Sequence, residues 1–125
     1  MIGYITIGAS DVEAALPFFD AVFGAMGGER KSFEGGWGFY GDKGGDGDVG
    51  ICKPFDGQPA RSGNGIMIAF KAPSQDAVKA THAAALANGG IDEGAPGFRP
   101  PDGTAFYGAY FRDPTGNKFC VYHLS

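Results

Sequence analysis

The sequence predicts an α+β fold built from two βαβββ modules in a single domain. Short apolar runs alternate at period two and give way to a helical period once in each half of the chain. The order strand, helix, strands therefore occurs twice, although identity between the halves is poor. The glycines, 23 of 125 residues, include the doublets Gly27-Gly28, Gly35-Gly36, Gly44-Gly45 and Gly89-Gly90 between apolar runs, which mark tight turns.

Composition limits the possible partners. A chain of 125 residues can bury a real core, and at 43% hydrophobic and 14% aromatic it is expected to fold. The net charge is −4 with a sequence pI near 4.9, and no basic cluster occurs, which argues against nucleic acid or an anionic membrane surface. No apolar run approaches the ~20 residues of a membrane span. The N-terminus lacks a basic stretch followed by an apolar one, and two cysteines fit a reducing compartment, so a cytoplasmic location is expected.

The first module takes residues 1–53. Ile2, Ile5 and Ile7 alternate in a first strand over Met1–Ala9. Ser10-Asp11-Val12-Glu13 has the form of a capping box, with Ser10 and Glu13 exchanging bonds. Val12, Leu16, Phe19, Phe23 and Met26 then form one apolar helix face, interrupted by Pro17 and stopped at Gly27-Gly28. Glu29–Glu34 and Trp37–Gly41 form a hairpin around Gly35-Gly36, and Val49–Lys53 is a fourth strand. The Pro- and Gly-containing segment 54–63 reads as a linker.

The second module, 64–125, repeats the order. Gly65–Lys71 is a strand, and Pro73-Ser74 opens a helix with Val78, His82, Ala85 and Leu86 on one face. A short irregular strand near Ile91 and a Gly/Pro-rich loop, Gly94–Gly103, lead to a last hairpin over Ala105–His123. Its turn, Asp113-Pro114-Thr115-Gly116, places Asp, Pro and Gly as a type I turn prefers them. The Gly35-Gly36 and Gly44-Gly45 doublets join strands, whereas a phosphate loop needs glycines before a helix N-terminus.

Strand, Arg112-Asp113-Pro114-x-Gly116-Asn117, then strand, near residue 120 resembles the vicinal oxygen chelate superfamily of glyoxalases, bleomycin-resistance proteins and extradiol dioxygenases. Lys53–Ala60, Asn64-Gly65 and Asp92–Gly97 are similar to stretches of a glyoxalase-like bacterial subgroup. The resemblance covers nearly the whole chain. It implies that each module's mixed sheet curls and that two modules, from one chain or from two, form a funnel for a small molecule.

The resemblance also implies metal ligands on the first and last strands of each module, usually His, Gln or Glu. Tyr4 stands at the first of these positions and Met67 at its equivalent in the second module. Cys120 replaces the usual Glu after the turn, and Cys52 is taken as its counterpart. Divalent Zn, Ni, Fe or Mn in such sites needs imidazole and carboxylate donors, so no divalent cofactor is expected. Cys52, Met67 and Cys120 could form a soft site for Cu(I) or Zn, but Met and Cys also serve as adaptable apolar lining, and that reading is preferred. The cysteines have no Cys-x-x-Cys spacing and no Lys or Arg nearby on the same strand face. His82 belongs to a helix stripe, and alternation points His123 away from Cys120.

Trp37, Phe39 and Tyr40, with Tyr107 and Tyr110, give the sheets an aromatic wall. Alternation puts Tyr107 and Tyr110 on opposite faces and leaves open which faces inward. The expected pocket is lined by Tyr4, Thr6, Trp37, Phe39, Cys52, Met67, Tyr107, Cys120 and Tyr122. Arg99 is the best-placed cation for an anionic ligand, while the acidic balance would tolerate a cationic one. Two functions fit: a metal-independent small-molecule binder comparable to the bleomycin-resistance proteins, or a lyase or isomerase of the lactoylglutathione lyase kind with a non-standard metal or none. A homodimer is expected, because an open curved sheet leaves edges and an apolar face to cover.

Overall fold

The computed structural model describes all 125 residues. The first module comprises β1 (Ile5–Gly8), α1 (Val12–Ala25), β2 (Gly28–Glu34), β3 (Trp37–Asp42) and β4 (Val49–Cys52). The second comprises β5 (Ile68–Lys71), α2 (Gln75–Ala87), β6 (Ile91–Phe98), β7 (Phe106–Arg112) and β8 (Lys118–Leu124). Each builds a four-stranded mixed sheet, in the orders β1-β4-β3-β2 and β5-β8-β7-β6. The first and last strands of each module run parallel because a helix and a hairpin intervene between them. The Ala9 amide donates to the Cys52 carbonyl at 2.9 Å, and the Ala72 amide to the Tyr122 carbonyl at 2.7 Å, which fixes the correspondence between modules.

Helix α1 joins the two modules. Val12, Leu16, Phe19 and Phe23 are buried as their spacing predicts, and Phe18 and Val22 are buried beside them. The extra width has a cause: α1 is covered on two sides. Phe23 packs on Tyr40 of its own sheet, with ring centroids 5.1 Å apart. It also meets Phe70 of the second sheet edge-on at 5.1 Å, while Phe18 and Phe19 reach Phe111 and Phe119, each at 6.3 Å. Each such ring contributes roughly 1.5–3 kcal/mol by leaving water, so the modules share one core of 19 buried residues.

Four local expectations need correction. The α1 cap is Asp11, whose Oδ1 accepts from the Ala14 amide at 3.1 Å. Its extended backbone sets the helix start at Val12, and Ser10 instead accepts from the Ala60 amide at 2.8 Å, tying down the linker. On α2, Leu86 is 41% exposed, and Thr81, whose hydroxyl donates to the Ala77 carbonyl, takes the buried place. The segment Gly94–Phe98 is not loop but the end of β6, which accommodates its glycines and Pro96 through two register shifts at the sheet edge. Tyr40 is a core residue, its hydroxyl donating to Asp20 at 2.7 Å.

The two turns rest on different physics. Gly35 and Gly36 both hold positive φ, which a two-residue hairpin turn requires. The β7–β8 turn is held by Asp113, which is buried and accepts from the Gly116 and Asn117 amides and from the Asn117 side chain, each at 2.9 Å. Asn117 also donates to the Gly8 carbonyl at 3.4 Å, so the turn that sets the register of β8 touches the end of β1. No helix is long and apolar enough to cross a membrane.

Candidate functional site

Strand alternation gives each sheet a helix-covered face and an open face. On the first sheet Ile7, Tyr40, Val49 and Ile51 turn to α1. Thr6, Trp37, Phe39, Gly50 and Cys52 therefore share the open face. Trp37 lies flat against Phe39, with centroids 5.5 Å apart and planes 13° apart, and Tyr4 meets Phe39 edge-on at 6.3 Å. Gly50 lets these rings sit close to the backbone: a Cβ there would come within 3.1 Å of the Trp37 ring and 3.2 Å of Phe39. The result is an aromatic shelf, and Tyr4 on it is 60% exposed.

On the second sheet Ala109, Phe111, Phe119 and Val121 turn to the helices. Tyr110 and Cys120 sit directly opposite each other in the register, on the open face with Tyr122. Phe106 stacks on Tyr122, centroids 5.1 Å apart, and lies over Gly108. Arg99 reaches this face from the segment after β6. Its guanidinium carbon stands 5.6 Å from the Tyr110 ring centroid. Nη2 donates to the Ala95 carbonyl at 2.8 Å and Nη1 to the Phe98 carbonyl at 3.3 Å.

Cys120 is 1% exposed. Burial pushes its thiol up, while the Tyr110 hydroxyl, Arg99 and Lys118 pull the other way. The sequence expectation that no Lys or Arg lies near this thiol on the same strand face is therefore corrected: Lys118 is two residues away on the same face of β8, and Arg99 arrives from the segment that follows β6. Burial also raises the Cys52 thiol. Neither cysteine is a ready nucleophile at neutral pH.

Of the residues expected in the pocket, Thr6, Trp37, Phe39, Cys52, Cys120 and Tyr122 lie on open faces, and Tyr4 joins the shelf. Met67 precedes β5 at the seam between the sheets, where Thr6, Gly8 and Asn117 help to enclose a cavity of about 90 Å³. Tyr107 is corrected to the core. It is 8% exposed, edge-on to Phe98, because it shares the parity of Ala109 and Phe111. Tyr110 takes the inward position. His82 is buried with Nε2 2.9 Å from Asp92, and His123 turns to the Ala72 carbonyl on the helix side.

The register also corrects the pairing of the cysteines. Thr6 pairs with Gly50 as Ala69 pairs with Cys120, so the counterpart of Cys120 is Gly50, while Cys52 corresponds to Tyr122. Cys52 and Cys120 belong to different sheets and to non-equivalent positions. The four positions where relatives are expected to hold a metal thus carry a phenol (Tyr4), no side chain (Gly50), a thioether (Met67) and a buried thiol (Cys120). That set does not fit a divalent ion that needs nitrogen and carboxylate donors. No three His, Cys, Asp or Glu side chains converge elsewhere.

Comparison with known proteins agrees with this architecture. No curated protein matches the chain. A glyoxalase/bleomycin resistance protein from Albidiferax ferrireducens T118 is 39% identical, with 97% of each chain covered and a TM-score of 0.87. The lactoylglutathione lyase from Agrobacterium tumefaciens is 25% identical over 98% of this chain and 92% of its own, with a TM-score of 0.64. A glyoxalase/bleomycin resistance protein/dioxygenase family enzyme from Burkholderia phytofirmans PsJN, 19% identical over 99% and 98% of the two chains with a TM-score of 0.72, shares the fold. The family model for the Glyoxalase/Bleomycin resistance protein/Dioxygenase superfamily matches residues 1–121, and this protein belongs to that superfamily.

Proposed function

We propose that this protein binds a small aromatic molecule on its open sheet faces, and that it does so without the divalent ion expected of its metal-binding relatives. The observation that supports this most is the pairing of the Tyr4, Phe39 and Trp37 shelf with the glycine beneath it. Three rings left on an open face, with backbone kept bare to seat two of them, form a stacking surface for a planar ligand. The donor chemistry at Tyr4, Gly50, Met67 and Cys120 supports the metal-independent part. In this reading Tyr4, Thr6, Trp37, Phe39, Cys52, Met67, Cys120 and Tyr122 line the ligand's surroundings. The exposed apolar side chains Ile66, Ile91 and Leu124, together with the open strand edges, support a homodimer.

The test combines metal analysis with binding. Purified protein incubated with Ni, Zn and Mn, then dialysed, is expected to retain no stoichiometric metal, and its melting temperature should rise with planar aromatic ligands. Size-exclusion chromatography with light scattering should report a dimer. The second reading is a lyase, favoured by the 25%-identical lactoylglutathione lyase. One retained Ni or Zn per chain, together with formation of lactoylglutathione, would establish that reading and overturn the first.

A further inference from the structure

We propose that Arg99 makes the second sheet's open face an anion subsite, so that the ligand is an aromatic acid and not a neutral or cationic compound. The inference rests on the small-molecule reading above and names the ligand's charge.

The guanidinium is pre-positioned. It is fixed over the Tyr110 ring and held by the Ala95 and Phe98 carbonyls. Those bonds use two of its five N–H donors, and the other three have no protein acceptor. Glycines clear the space around it: a Cβ on Gly94 would stand 3.3 Å from Nη2, and one on Gly97 3.1 Å from Nη1. A side chain held this way loses little further freedom when it meets a ligand, which makes its bonds more favourable than those of a mobile surface arginine.

It is also without a counter-ion. The chain's ion pairs join Arg30 to Asp20, Lys31 to Glu29, His82 to Asp92 and Arg112 to Glu93. Arg99 is in none of them, although the chain carries net charge −4 and acidic residues are plentiful. Arg112, on the same face, is neutralised by Glu93, whereas Arg99 and Lys118 are left to act together near Cys120. A carboxylate bound here could receive two parallel N–H bonds from the guanidinium while its ring packs on the neighbouring Tyr110, Phe106 and Tyr122 side chains.

Benzoate, benzamide and benzamidine share one ring and carry negative, zero and positive charge, so the series isolates the charge. Binding is read by calorimetry and by chemical-shift perturbation at Arg99 and Tyr110, which face each other at the subsite. Benzoate should bind at least tenfold tighter than benzamide and benzamidine weakest, and the Arg99 Nε–H resonance should shift with benzoate alone. Arg99→Gln should lower benzoate to the level of benzamide, while Arg99→Lys retains part of the preference. Equal binding of the three probes to the unaltered protein, or an intact benzoate preference in Arg99→Gln, overturns the anion subsite and leaves the aromatic reading standing. No binding by any of the three overturns both.

Discussion

The two open faces are built on one backbone plan and carry different chemistry. Phe39 and Gly50 face each other across β3 and β4, as Tyr110 and Cys120 do across β7 and β8. In the first module the small residue lies beneath the rings and the face is an apolar shelf. In the second the equivalent positions hold a phenol beside a buried thiol, with an arginine laid over the phenol. The comparison teaches that the strand frame fixes where side chains project but not what they do. One face offers flat contact area, and the other offers hydrogen-bond donors and positive charge.

The largest effect expected comes from forcing the second face toward the chemistry implied for metal-binding relatives. Cys120→Glu adds bulk and a carboxylate at a site that is 1% exposed. It should lower stability by about 3 kcal/mol, read by urea unfolding. It should gain no Zn or Ni, because Tyr4, Gly50 and Met67 supply no matching donors. Metal retention by this single variant would break the distinction drawn between this chain and metal-binding relatives.

Removing the shelf comes next. Trp37→Ala should weaken benzamide binding about tenfold, as expected for loss of one stacked aromatic contact worth roughly 1.5 kcal/mol. An unchanged dissociation constant by calorimetry would mean that the first face is not where the ring lies. Gly50→Ala is gentler. Its Cβ meets two rings at 3.1–3.2 Å, so they must tilt away, with a stability cost of about 1 kcal/mol and a several-fold loss of benzamide affinity. Gly108→Ala should leave benzamide nearly unaffected, since there the added methyl meets only the far edge of Phe106 on the other face.

The smallest effect concerns acid stability of the second module. The Gly94 amide and then His82 hold the Asp92 carboxyl below its usual range. Its folded value is lower than its unfolded one, so its contribution is present above the unfolded carboxylate value, about 4, and is lost as pH falls through the folded value. Asp92→Asn should therefore flatten the decline of melting temperature with acidification below about pH 4. A variant that follows the parent's pH curve would remove Asp92 from the acid response.

Most of the fold was legible because period-two and helical patterns switch cleanly, and because the Gly35-Gly36 and Asp113–Gly116 turns carry their own chemistry. Segment 94–98 was not, since glycine and proline read as loop until a neighbouring strand supplies the bonds that hold them at a sheet edge. For the site, Trp37 and Phe39 could be placed by alternation alone. Tyr110 could also have been found. The Asp113–Asn117 closure makes Arg112 face Lys118, and counting inward sets Tyr110 against Cys120 and sends Tyr107 to the core. The equivalence of Gly50 with Cys120 was hidden because the last strand of the first module has no turn motif to anchor it. The position of Arg99 is a tertiary fact, fixed by two carbonyls and a ring, and nothing in local sequence encodes it.

The account is tested most directly by titrating protein stripped with a chelator against benzamide, following the fluorescence of Trp37 on the shelf. Saturable quenching, unchanged when Zn, Ni or Mn is returned, is the predicted result. Quenching that appears only once a divalent ion is restored would contradict it.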